Sequence, residues 1–72
     1  MKTVTIDRYM PWGTNSKIID LRYRGEVIGT VRSGDIDEAL ALARRMADGF
    51  THWRLCRGEA ADGGACWPAK PL

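Results

Sequence analysis

The chain predicts an α+β fold, β-β-β-α-β in order, with an antiparallel sheet and one helix packed on one of its faces. Two observations predict it. Four short segments alternate apolar and polar residues with a period of two, and one segment between the third and fourth carries a helical stripe with start and stop signals. Clusters of glycine, proline and asparagine punctuate the boundaries.

Thr3 to Tyr9 reads as the first strand, with Val4 and Ile6 on one face and Thr3, Thr5 and Asp7 on the other. Met10 to Ser16 breaks it, since Pro11, Gly13, Asn15 and Ser16 cluster there. Lys17 to Tyr23 is the second strand, in which Ile19, Leu21 and Tyr23 alternate with Ile18, Asp20 and Arg22. Arg24-Gly25 marks a tight turn and Glu26 to Arg32 returns. A type I turn with a left-handed glycine sets Leu21 opposite Val27 and Arg22 opposite Glu26, which aligns Ile19, Leu21, Val27 and Val31.

The helix has the clearest signature. Asp35 to Glu38 has the form of a capping box, and Asp37 and Glu38 suit the positive end of the helix dipole. Ile36, Leu40, Ala43 and Ala47 make the apolar stripe, widened by Ala39 and Met46. Arg44 and Arg45 fall near the negative end, and Gly49 supplies the stop. His52 to Arg57 is the fourth strand, with Trp53 and Leu55 toward the helix and His52, Arg54 and Cys56 away from it. Residues 1–58 thus form a single domain, and 59–72 a C-terminal tail without periodicity.

Seventy-two residues leave room for one core, and a chain this short buries only about 60% of its unfolded surface. Apolar residues make up 44% and charged residues 28%, too apolar for wholesale disorder. No apolar run is long enough to cross a membrane, and MKTVTIDRYM lacks the apolar core of a secretory signal. A cytoplasmic location is the expectation, with Cys56 and Cys66 as free thiols in a reducing compartment. The sequence leaves open whether the two pair.

Net charge is +2, eleven basic residues against nine acidic ones, but the distribution is uneven. The helical stretch 35–48 holds four acids and two arginines. The strands and turns hold Lys2, Arg8, Lys17, Arg22, Arg24, Arg32, Arg54 and Arg57 against Asp7, Asp20 and Glu26. One helix cannot cover both faces of a sheet, so the alternation predicts an open face carrying Arg22, Arg32 and Arg54. Such a face suits an acidic protein surface or a phosphate backbone, although arginines on an open face also serve simply to keep it soluble. The candidate partner-binding residues are Trp12, in its Pro/Gly loop, with Arg22, Arg24, Arg32, Arg54 and Arg57.

Catalytic, metal and cofactor sites are not expected. His52 and Cys56 stand about 13 Å apart on an extended strand, and no close C-x-x-C pair occurs. Asp35, Asp37 and Glu38 are accounted for as helix-start acids, and no phosphate-binding glycine pattern is present.

The stretch KIIDLRYRGEVIGTVRSGDIDEALALARRMADG, within residues 17 to 55, resembles the hairpin-then-helix middle of small phage or mobile-element proteins, including anti-CRISPR inhibitors. The resemblance is architectural and transfers no site residue. It implies a viral, stoichiometric inhibitor that occupies a surface on a protein partner such as a nuclease or CRISPR effector complex. The chain lacks the acidity of inhibitors that mimic DNA. A nucleic-acid-binding module using the basic sheet face is the alternative, and a monomer or an edge-paired homodimer are both open. Three readings of the tail also stand: disordered, folded back with Trp67 over Ile18 and Ile28, or docking a partner.

Overall fold

The computed structural model describes residues 1–58 and 65–72. Their elements are β1 (Thr3–Tyr9), β2 (Ile18–Tyr23), β3 (Glu26–Val31), α1 (Ile36–Arg45), β4 (His52–Arg57) and a short β5 (Lys70–Pro71). They form one α+β unit: a five-stranded sheet in the order β3-β2-β1-β4-β5, with α1 lying over β1, β2 and β3.

The sheet is mixed, which corrects the purely antiparallel expectation. β4 pairs parallel to β1, Thr3 beside His52 through Arg8 beside Arg57. The helix causes this. β3 delivers the chain to the end of the sheet where β1 finishes, and α1 carries it back, so β4 starts level with the start of β1.

The β2–β3 register also differs from expectation. Tyr23 pairs with Glu26 and Arg22 with Val27, but Leu21 pairs with Gly29, so Ile28 is an extra residue in a bulge. The cause is Arg24. It takes a left-handed conformation (φ 51°) together with Gly25 (φ 82°), closing a two-residue turn in place of the longer one expected. Val27 therefore leaves the core face and is exposed, while Ile19 and Val31 stay paired and buried.

The core comprises Val4, Ile6, Ile19, Leu21, Val31, Ala39, Leu40 and Ala43. Asp35 caps α1 by accepting from the Asp37 backbone N–H at 2.9 Å. Glu38 accepts from the Ser33 hydroxyl at 2.6 Å instead of reaching back to Asp35. The helix ends at Arg45 and Met46 is already extended, so Ala47 is exposed and not part of the stripe. Gly34 fixes the β3–α1 connection. Its φ is +71° and a Cβ there would lie 2.7 Å from the Lys17 carbonyl oxygen, so only glycine fits.

Of the tail drawn from residue 59, positions 59–64 lie outside the described residues. Residues 65–72 run antiparallel along the edge of β4. The Arg57 N–H donates to the Ala65 carbonyl (2.8 Å), Trp67 to Leu55 (2.9 Å) and Leu72 to Thr51 (3.0 Å). Cys56 and Cys66 are the directly opposed pair between two of these bonds, the position where cross-strand side chains come closest, and they form a disulfide. The expectation of free thiols is thereby corrected. The pairing was hidden because it depends on where the returning segment lies along β4.

A candidate docking cleft on the helix side of the sheet

The face opposite the helix is not the open basic patch that the alternation predicts. Its centre is the cross-strand pair Asp7 and Asp20, both buried. Arg22 bridges them, with Nε 3.3 Å from Asp7 Oδ2 and a terminal nitrogen 3.8 Å from Asp20 Oδ2. Thr30 donates to Asp20 at 3.1 Å. Asp7 is 0% exposed and its two oxygens accept no hydrogen bond among the described residues. Burial raises its pKa, Arg22 pulls it down, and the Asp20 charge pushes it up again. A hydrogen bond to Asp20, with burial, raises the Tyr9 hydroxyl. Arg22 is consumed by this internal cluster and does not offer a free charge to a partner.

The other sequence-derived candidates are scattered. Trp12 is fully exposed in the β1–β2 loop. Arg24 sits at the hairpin tip with its guanidinium 5.3 Å from the Tyr23 ring centre. Arg32 is exposed just beyond β3, and Arg54 stands exposed on the Asp7 side. Arg57 ends β4, its guanidinium 5.9 Å from the Trp67 ring centre. The structure does not bring these six into one surface.

A different arrangement forms on the helix side. Because α1 lies over β1 to β3, the β4–β5 side of that face is left with an apolar cleft of about 220 Å³ lined by Trp53, Leu55, Trp67, Pro68 and Lys70. Trp53 and Leu55 come from β4 in phase with the buried Val4 and Ile6 that they neighbour across the parallel pair. Trp67 is 42% exposed. Lys70 Nζ stands 5.7 Å from the Trp53 ring centre, so each tryptophan has a cation over it.

The strip continues toward the Tyr9 end of β1. There a second cleft of about 240 Å³ is lined by Arg8, Tyr9, Met10, Lys17 and Arg57. Arg8 shares the phase of Val4 and Ile6, and it neighbours Arg57 across the parallel pair. Of this strip, only Arg57 is among the candidate partner-binding residues, while Trp67 enters through the reading of the tail as a docking segment. The phase of Arg8 was legible, but its juxtaposition with Arg57 required the parallel pairing, and the place of Trp67 required the return of residues 65–72 along β4.

No group of three or more metal-ligating side chains occurs among the described residues, and no helix there is long and apolar enough to cross a membrane. Comparisons with known protein families, curated proteins and solved structures return no match.

Proposed function

We propose that the protein is a non-enzymatic binding module that docks stoichiometrically on a protein partner through the Trp53–Trp67 cleft. One observation carries the reading: two tryptophans, Leu55 and Pro68 form an apolar cleft beyond the reach of the helix, with a cation over each indole. Aromatic anchors with flanking cations are the side chains that concentrate binding energy at protein interfaces. The flanking charges select a partner segment that carries carboxylates beside an apolar side chain. A viral inhibitor of a nuclease or CRISPR effector complex is one form this function takes, and it is the form implied by the architectural resemblance.

A monomer is the proposed state, because Pro68, Lys70 and Pro71 discourage further pairing at the β5 edge and the Ile28 bulge interrupts the β3 edge. In the cytoplasm, the proposed location, thiol reductants keep most cysteine pairs reduced. The oxidation state of Cys56 and Cys66 in cells therefore checks that assignment.

The test is capture with the tagged protein from the native host lysate, with and without nuclease, read by mass spectrometry. The expected result is one protein complex in fixed ratio, retained through nuclease and moderate salt. Nucleic acid that co-purifies and leaves no protein after nuclease treatment supports the alternative reading instead, since phosphate contacts weaken steeply with salt.

A further inference from the structure

We infer that Arg8, Lys17 and Arg57 form a binding site for a compact phosphate-class dianion, either free phosphate or a terminal phosphomonoester. This inference does not rest on the docking reading, although Arg57 stands at the border of both clefts. The three cations line a single cleft of about 240 Å³ whose other walls among the described residues are Tyr9 and Met10, with no carboxylate among those residues. Arg8 and Arg57 are direct neighbours across the β1–β4 pair, an arrangement of like charges that costs stability unless an anion sits between them. Arg8 Nε is buried and has no hydrogen-bond partner among the described residues. A buried guanidinium N–H without an acceptor is a costly group, and turning the Arg8 side chain toward the cleft lets a tetrahedral oxyanion satisfy it. The ion pairs found among the described residues belong to Arg22, so none of the three cations is neutralised there by a carboxylate.

The charge count selects the ligand. Three converging cations match a dianion better than the single negative charge of a phosphodiester. The backbone places them at the exit of β1, the entry of β2 and the end of β4, where the Gly58 N–H donates to the Arg8 carbonyl and ties two of these ends together.

The test is an NMR titration of the full chain with inorganic phosphate, against chloride at matched ionic strength. Saturable shifts are expected at Arg8 Nε–Hε and at the Arg57 side chain. Arg8→Gln and Lys17→Gln should each weaken binding about tenfold, the scale of one charge-assisted hydrogen bond. Arg45→Gln removes the same charge at the far end of α1 and should change affinity less than about twofold. If Arg8→Gln fails to fold, Arg8→Lys keeps the charge without the fork and should weaken binding several-fold. Phenyl phosphate should bind as free phosphate does, and dimethyl phosphate at least about tenfold more weakly. A phosphate response no greater than that to chloride, an Arg45→Gln loss equal to that of Arg8→Gln, or unchanged affinity in Arg8→Lys would overturn the site. Equal binding of dimethyl phosphate would overturn the dianion assignment. None of these outcomes touches Trp53 or Trp67, so they leave the docking cleft to its own test.

Discussion

Asp7 carries a charge that burial disfavours, and Arg22 is what makes it tolerable. Because burial raises the folded-state pKa of Asp7, the native state holds that proton to higher pH than the unfolded chain. Asp7 therefore costs stability progressively as pH rises from the ordinary aspartate value of about 3.9 through its own raised value. Arg22→Ala removes the compensating cation and should destabilise the fold by about 2 kcal/mol at pH 7, less than for a fully buried pair because Arg22 is 29% exposed. The deficit should shrink toward pH 4 as Asp7 protonates, which urea unfolding at several pH values would read. A deficit constant with pH would contradict this origin. Arg24 offers the opposite case, a β-turn residue held at φ 51°. Arg24→Asn should stabilise the hairpin by about 0.5 kcal/mol, raising Tm by a few degrees. At this scale the sequence was partly legible. The outward phase of Asp7 was readable, but its burial was not, because the Arg22 and Asp20 that surround it come from another strand.

The helix and four of the strands were legible as elements, because the period-two and 3.6-residue patterns are local properties of the chain. Residues 70–71 were not, since Pro68 and Pro71 argue against a strand and two residues carry no periodicity. What holds 65–72 in place is tertiary: backbone bonds to β4 and the Cys56–Cys66 disulfide. The bridge spans ten positions, and in the chain-entropy account a loop of that size contributes about 2–3 kcal/mol. Cys66→Ser should lower stability by that amount. It should also speed hydrogen exchange at the Trp67 and Leu72 amides, which pair with β4, while the Ile6 and Leu21 amides stay protected in the central strands. Unchanged exchange at Trp67 would show that the backbone bonds suffice without the bridge.

For the whole molecule, the decisive feature is the position of α1 over β1–β3, which leaves the β4–β5 side of that face beyond the helix. The sequence reading put the working surface on the opposite face, reasoning that arginines alternating away from a helix must be open. Arg32 and Arg54 are exposed, but Arg22 shows what alternation leaves out: an alternating charge answers first to a carboxylate on the neighbouring strand. The helix-side strip combines residues from β1, β4 and the C-terminal strand, contacts that local patterns do not encode. The most direct measurement is partner retention, compared quantitatively between variants on the two faces in nuclease-treated lysate. Trp67→Ala should lower retained partner by about thirtyfold or more, the loss expected for a tryptophan anchor, while Arg54→Glu on the Asp7 side should retain it near the wild-type level. Retention by Trp67→Ala with loss in Arg54→Glu would contradict the account and return the binding surface to the face opposite the helix.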